Sequence, residues 1–389
     1  MRAEDRVPPL GLAGFAALVL LQLLVTAAPL ALLPFLGLHL ARMSAAPAFW
    51  TAAALAAPAV TTLAMTPAWT GLARVLSLPS LIVWTGIFTA ASCAIIAVAS
   101  DPVTLLAGRL VQGLAGGGVV LALAFRAAGR SAGRGFAAMQ QAVAAGCLLG
   151  PLVGGFAFER EQLGLLMLGF GGLILVATSA AAASRDLSAE PDEESPSGRA
   201  DSSDLSLLCA GLCGSAGAFA FVAFFPAWAN AYDPALYTPG LIGLLHSLSW
   251  LVALLVLPLW ARVMDGVSPV AALNLSLIGC ALGFAAVPLG VGLAGIVALR
   301  LLQGALFAGQ APALFAAVEA VSPSRTAAMA RARASLTLGQ LVGPFVAGLA
   351  LVPLGPSGAL FAAAGLSFAG AVALATAAHP LRTIRSRAR

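Results

Sequence analysis

An arginine and a glutamine interrupt the apolar stretch GRLVQGLAGG. Arg109 and Gln112 are three residues apart, and Gly113, Gly116 and Gly117 continue the spacing, so that all five lie on one stripe of a helix. An arginine within a membrane costs at least ~2.5–3.5 kcal/mol, which it recovers by facing a bundle interior, water or a partner. The pattern predicts substrate binding or proton coupling. The structural alternative is an arginine bonded to neighbouring carbonyls, with the glycines serving helix packing.

The arginine element occurs twice. The sequence RLVQG at Arg109 recurs as RLLQG at Arg300, an offset of 191 residues. Three further pairs repeat at the same offset or two residues beyond it: Pro67-Ala-Trp69 with Pro258-Leu-Trp260, Arg134 with Arg325, and Gly150-Pro151 with Gly343-Pro344. These landmarks predict a duplicated chain. They also predict that Arg109 and Arg300 face each other across a central cavity, one from each half.

The composition is that of an integral membrane protein. Of the 389 residues 60% are hydrophobic and only 9% charged, and the mean hydropathy is +0.99, whereas a soluble domain is about half apolar and a quarter charged. Apolar windows long enough to cross a bilayer follow one another along the chain. Twelve spans are predicted, near residues 10–38, 46–66, 79–99, 102–127, 136–158, 162–184, 205–231, 237–260, 268–287, 290–318, 332–353 and 356–378.

The twelve spans divide into two halves of six. Residues 185–204 are polar, acidic and rich in Ser and Pro, and are predicted to be a cytoplasmic linker. The predicted domains are therefore a six-helix bundle over residues 1–184 and a second six-helix bundle over residues 205–389, which ends in a basic cytoplasmic tail. Because each half has an even number of spans, the repeats are parallel and related by an axis along the membrane normal. The predicted fold class is all-α.

Arginine placement predicts the orientation. Short cytoplasmic loops collect positive charge. With the N-terminus inside, sixteen of the twenty arginines fall on the cytoplasmic side and two, Arg42 and Arg160, on the external side. The remaining two are Arg109 and Arg300. Both termini are therefore predicted to be cytoplasmic, in a bacterial inner membrane.

Several function classes are excluded or disfavoured. The five cysteines all lie in apolar windows, where they behave as small hydrophobic residues, so that neither a disulfide framework nor a metal site is indicated. Nucleic-acid binding is not expected. No paired carboxylates, nucleophile triad or metal cluster lies on any predicted loop, so we expect neither an enzyme nor a cofactor.

These motifs resemble the major facilitator superfamily, and within it the twelve-helix drug:proton antiporters, over essentially the whole chain. The family's fourth-helix motif, RxxQG, is present at Arg109, and its fifth-helix antiporter motif, GxxxGPxxGG, is intact. That motif comprises Gly146, Gly150, Pro151, Gly154 and Gly155. Glycines every four residues and a proline bend suit a rocking interface between halves, although plain helix packing requires the same residues.

A third family motif, GxLaDRxGR in the loop between helices 2 and 3, is degraded in the first half, where Arg74 stands in place of the family's aspartate. The second half retains the acidic residue of the loop, Asp265, and a second acidic residue, Glu319, at the end of a predicted helix that the family pairs with this loop. The resemblance implies a cytoplasmic gate latch made of Arg262, Asp265, Glu319 and Arg325. The alternative is that these four are loop charges that only set topology.

Proton coupling needs a group that titrates within the membrane. No Asp or Glu lies at the centre of any predicted span, but His246 lies near the middle of span 8, and a His pKa near 6.5 suits a proton switch. A structurally hydrogen-bonded histidine is the alternative.

The resemblance also implies that spans 1, 4, 7 and 10 line the substrate cavity. The candidates on those spans are Gln22, Arg109, Gln112, Arg300, Gln303 and Gln310, with an aromatic run on span 7 of Phe219, Phe221, Phe224, Phe225 and Trp228. Arginines, amides and aromatic rings suit an amphipathic molecule, neutral or anionic, although the aromatic rings could instead face lipid.

We therefore expect a monomeric transporter that exports a small organic molecule by alternating access, driven by proton entry. The cargo is either a drug-like compound or an endogenous metabolite such as a siderophore. The alternative is a facilitator-type importer or uniporter of a small organic solute.

Overall fold

The computed structural model describes residues 12–128, 132–184, 202–322 and 325–376. These residues form helices joined by short turns, with no strand among them. The helices are α1 (Leu12–Leu32), α2 (Leu36–Ala41), α3 (Pro47–Leu72), α4 (Leu78–Ala97), α5 (Pro102–Leu114), α6 (Gly117–Ala128), α7 (Ala132–Glu159), α8 (Leu163–Ala182), α9 (Ser202–Tyr232), α10 (Pro239–Gly266), α11 (Pro269–Ala286), α12 (Gly292–Phe307), α13 (Gln310–Val321) and α14 (Arg325–Thr376). Two short 3₁₀ turns, Leu33–Phe35 and Val287–Leu289, follow α1 and α11.

Within the described ranges, eleven helical runs are long and apolar enough to cross a membrane. The last run, Ala328–Thr376, has 49 residues, and it contains Gly355 in a non-helical conformation with φ 65° and ψ −169°. At 1.5 Å per residue this run is ~73 Å long, more than twice the ~30 Å of a bilayer core. It therefore supplies the last two spans, and the twelve-span all-α fold is confirmed.

Polar residues fix where several spans begin. Ser77, Asp101, Thr238 and Ser268 each accept a backbone N–H from the first turn of the helix that follows, and a proline occupies one of the first two helical positions. At Asp101 the Thr104 hydroxyl also donates to the carboxylate, over 2.6 Å. This hydrogen bond, together with the backbone N–H donors, lowers the pKa of Asp101.

The two arginine-bearing spans are both broken into two helices. The first breaks between α5 and α6, where Gly116 has φ +65°, and the second between α12 and α13, at Gly309. At each break a tryptophan ring packs on the glycine and donates its indole N–H to a nearby carbonyl. Trp69 donates to the Leu114 oxygen over 2.9 Å, and Trp260 donates to the Ala305 oxygen over 2.6 Å. The repeated tryptophans thus stabilise the two interruptions that lie just beyond the arginines.

Glycines bring particular helices into backbone contact. On α7, a Cβ added at Gly146 or at Gly150 would lie 2.6 Å from a carbonyl oxygen of α1, and one at Gly154 would lie closer still. On α14, Gly339 and Gly343 lie in the same way against carbonyls of α9. These side-chain-free faces allow the axes to approach more closely than any larger residue would permit.

The described chain forms two compact units. One contains the described residues up to Leu33 and from Val60 to Ser184, and the other contains residues 34–59 together with the described residues from Ser202 onward. The short segment 34–59 thus packs with the second unit. The predicted domain boundary at residues 185–204 stays a prediction, since residues 185–201 lie outside the described ranges.

Candidate functional site

Arg300 is buried in the second unit, with 4% of its surface exposed. Its Nε donates to the carbonyl oxygen of Leu245 on α10 over 3.1 Å, and its Nη1 donates to Oε1 of Gln303 over 2.7 Å. The guanidinium carbon also lies 5.0 Å from the ring centre of Phe221 and 5.7 Å from that of Phe225. A cation over an aromatic face gains about 2 kcal/mol or more when it is desolvated. None of these four partners is negatively charged.

Two buried glutamines of the tenth span, Gln303 and Gln310, have amide nitrogens that lack an oxygen or nitrogen acceptor among the described residues. The side-chain oxygen of Gln303 accepts from the guanidinium of Arg300, so that its NH₂ group is the unpaired end of the amide. Gln310 lies on α13, and its side chain is beside the Cys280 thiol. Gly283 and Gly214 leave room for them: a Cβ at Gly283 would lie 3.1 Å from the Gln303 side chain, and one at Gly214 would lie 2.8 Å from Oε1 of Gln310.

The aromatic residues of α9 form a continuous stack. Phe221 stacks on Phe284 of α11, with 4.7 Å between ring centres, and on Phe225 at 5.3 Å. Phe225 stacks on Trp228 at 5.9 Å, and Trp228 stacks on Tyr232 at 5.0 Å. Phe221, Phe225 and Trp228 are buried, so the possibility that they face lipid is wrong for these three.

The other two aromatic candidates of α9 lie off this stack. Phe224 is buried and lies against Gly348, where an added Cβ would be 3.6 Å from the ring. Phe219 is half-buried. The rings of α9 therefore cover more than one face of the helix, with the stack on the face that meets Arg300.

His246 lies next to the Arg300 contacts and is 1% exposed. Its Nδ1 is 3.0 Å from the Ile242 oxygen and its Nε2 is 3.3 Å from the Val222 oxygen. The ring also meets the Phe225 ring edge to face, with 5.4 Å between centres. Both ring nitrogens therefore face acceptors. A neutral imidazole donates only one hydrogen bond, whereas the protonated ring donates two.

Arg109 repeats part of this geometry in the first unit. It is 3% exposed, and its Nη1 donates to Oε1 of Gln112, as Arg300 does to Gln303. Gln112 is only half-buried, and it lines a cavity of about 10 Å³ together with Thr89, Ser92 and Cys93. A cavity of that size holds about one water molecule.

Gln22 does not join either arginine through its recorded hydrogen bonds. Its amide nitrogen donates to the Thr26 hydroxyl over 3.0 Å, and that hydroxyl donates back to the Gln22 carbonyl over 2.9 Å. The amide nitrogen of Gln22 therefore has its hydrogen-bond partner on its own helix, α1.

The antiporter motif faces α1 of its own unit. Gly146, Gly150 and Gly154 contact backbone at Leu23, Ala27 and Ala31, and Pro151 lies inside α7 without ending it, with Gly155 buried beside them. The glycine row thus packs on the α1 backbone within its own unit, and a part in rocking between the halves stays a prediction.

The four latch residues are only partly described. The Arg262 side chain is exposed and the Glu319 side chain is half-buried near the end of α13. The side chains of Asp265 and Arg325 lie outside the described set. The latch therefore stays a prediction.

Sequence reasoning missed five contributors to the sites and to the helix contacts around them. Leu245 supplies a carbonyl, which has no sequence signal, and Phe284 reaches the stack from a distant helix. Trp69 and Trp260 were recognised only as repeat landmarks, although their repetition beside two glycine-containing helices could have indicated a shared structural role. Gly339 was also missed, and the offset of 193 that links Gly150 to Gly343 would have found it from Gly146.

Comparison with known proteins finds similarity to membrane transporters. Residues 207–388 match the model of the Major Facilitator Superfamily. A staphyloferrin B transporter of Staphylococcus aureus is 25% identical over 387 residues, which covers 92% of this chain and 90% of that protein.

Solved transporter structures share the fold. The nucleoside transporter NupG superposes with a TM-score of 0.74 at 14% identity, over 94% of this chain and 99% of that one. The peptide transporter POT in complex with sulfate has a TM-score of 0.77 at 13% identity, over 95% of each chain. The human organic anion transporter MFSD10 (TETRAN) has a TM-score of 0.65 at 19% identity, over 93% of this chain and 98% of that one. The fold, the duplicated arginine element and the match over residues 207–388 together show that this chain is similar to the major facilitator superfamily.

Proposed function

We propose that the chain exports a small organic anion across a bacterial inner membrane by alternating access, and that proton entry drives the export. The observation that carries the anionic cargo is the buried Arg300, whose recorded partners are all neutral. Within a membrane a buried cation is destabilising, and neutral partners leave its charge available to an anion during the cycle. The direction of transport rests on the intact glycine motif of α7, which resembles that of facilitator-type exporters.

A siderophore-like metabolite is the cargo class we favour. The relative from Staphylococcus aureus is a transporter of staphyloferrin B, a siderophore, and its similarity extends over nine-tenths of both chains. The aromatic stack of α9 suits the apolar part of such a molecule, and Arg300 suits its acidic part. An organic cation fits poorly, because no carboxylate lies at the centre of a span. A neutral drug-like compound is the competing cargo.

Proton-coupled import is the second candidate, and one contact favours it. His246 and Arg300 both lie on the Phe225 ring, so that the positive charge of Arg300 opposes a proton on His246. An anion bound at Arg300 offsets that repulsion and favours the proton. Anion binding and proton binding then favour each other. Positive coupling of this kind is required for symport, whereas antiport requires the two to oppose each other.

Transport of labelled staphyloferrin B in membrane vesicles distinguishes the two directions. Export by antiport requires uptake into inside-out vesicles whose interior is acidic, and an uncoupler must abolish it. Import by symport requires uptake into right-side-out vesicles with an acidic exterior. Uptake that ignores the pH gradient in both preparations contradicts proton coupling and leaves a uniporter.

A further inference from the structure

We propose that Arg300 and Gln303 form a carboxylate-binding subsite inside the second bundle. The inference rests on the proposed anionic cargo, and it names the chemical group of that cargo that the protein binds. Both side chains lie on α12, in the tenth span. Each is at least nine-tenths buried.

The contacts of Arg300 and Gln303 fix the orientation of both side chains but leave some of their N–H groups without an acceptor. Leu245 and the oxygen of Gln303 take up two of the five N–H groups that a guanidinium carries. The bond to Arg300 fixes the Gln303 amide so that its NH₂ group, a pure donor, is left without an acceptor. A buried donor without an acceptor is destabilising, so that the unpaired Gln303 amide beside a cation is an arrangement that an anionic ligand completes.

A carboxylate complements these donors, because its negative charge is opposite to that of the guanidinium and each of its two oxygens can accept from one donor group. It offers two oxygens, and it accepts from a guanidinium and a neighbouring amide through charge-assisted hydrogen bonds. The rings of Phe221 and Phe225 cover part of the guanidinium, so that the proposed anion contacts the uncovered part, next to the Gln303 amide. No described acidic side chain takes this position in the recorded contacts of Arg300.

The counterpart in the first bundle is built differently. Arg109 bonds Gln112 in the same way, but Gln112 is half-buried and lines a water-sized cavity, so that its amide is not stranded. The subsite is therefore assigned to Arg300 alone of the two arginines.

The test uses the purified full chain in detergent, with citrate as the carboxylate probe and its trimethyl ester as the uncharged control. Citrate is expected to raise the unfolding temperature of the unsubstituted protein, and the ester is expected not to. Arg300→Gln should weaken the apparent citrate affinity about tenfold to 100-fold, since it removes a charge-assisted hydrogen bond. Leu302→Ala, a half-exposed position on the same helix, is the matched control and should keep the citrate response.

Gln303→Glu is the decisive variant, and it also covers the case in which Arg300→Gln fails to fold. The introduced carboxylate supplies the missing anion from within, so the variant should unfold at a higher temperature than the unsubstituted protein and lose the citrate response. A citrate response that survives this change, or equal responses to citrate and its ester, overturns the subsite. The proposed export is tested separately in the vesicle assay. If the unsubstituted protein binds citrate but shows no uptake in vesicles, export is contradicted and the subsite is still supported.

Discussion

The buried Arg300 is held by neutral groups. Its partners are a backbone carbonyl, an amide oxygen and two aromatic faces. Such partners orient a guanidinium without cancelling its charge. A positive charge that is held in place but not neutralised remains able to attract an anion, which an internal ion pair would prevent.

Arg109→Ala is expected to abolish transport while the protein still inserts in the membrane. The change removes the cation whose amide partner lines the first-unit cavity, whereas the long apolar spans that drive insertion are unaltered. We expect at least a tenfold loss of uptake in the vesicle assay of the proposed function, at an unchanged protein level by immunoblot of the membrane fraction. Transport at the unsubstituted rate would reduce Arg109 to a structural residue.

The sequence predicted these residues better than it predicted their surroundings. The i, i+3 spacing of arginine and glutamine directly anticipates their hydrogen bond, because such residues are neighbours on a helix surface. The Leu245 carbonyl and the Phe284 ring belong to other helices and reach Arg300 only through tertiary packing. No local pattern specifies such contacts.

At the scale of the helices, two devices recur in both halves: the tryptophan that packs on a helix break, and the glycine face that meets a neighbouring backbone. The tryptophans stabilise the two breaks in the arginine-bearing spans. A break frees backbone carbonyls that a continuous helix would use, and an indole N–H satisfies one of them at each position. Because the breaks recur at equivalent positions in both repeats, they are a common structural feature of the two halves.

Trp69→Phe and Trp260→Phe should each destabilise the protein by about 1 kcal/mol. Phenylalanine keeps most of the ring that covers the glycine but removes the N–H, so that a carbonyl loses its hydrogen bond. Thermal unfolding of the purified variants measures the effect. Trp84→Phe, at a side chain that is half exposed on α4, is the matched control, and an equal loss of stability there would contradict the role of the indole hydrogen bond.

Gly150→Ala and Gly343→Ala should destabilise the protein by about 1–3 kcal/mol each, the usual effect of overpacking. A methyl group at either position meets a backbone carbonyl, which cannot turn aside as a flexible side chain can. Gly172→Ala tests the same substitution on α8, where nothing lies within 4 Å of the added carbon. If all three variants unfold at the temperature of the unsubstituted protein, the close helix contacts do not contribute to stability.

At the scale of the whole molecule, the twelve spans and the family were readable from sequence, because bilayer thickness dictates span length and composition dictates membrane insertion. The last two spans were placed on either side of Gly355, where the backbone does break. The membership of residues 34–59 in the second unit was not readable, since it depends on packing between helices that are distant in sequence. The orientation in the membrane is still a prediction from arginine placement.

That orientation can be tested by two cysteine substitutions in a chain whose five native cysteines are replaced. Ala45 and Val75 are exposed positions in the turns before and after α3, so they belong on opposite sides of the membrane. Because Arg74 belongs to the arginine-rich side, Val75→Cys should react with a membrane-impermeant maleimide only in inside-out vesicles, and Ala45→Cys only in intact cells. The two positions control for each other, as both turns are accessible to reagent and differ only in side. The reverse labelling pattern would place the N-terminus outside.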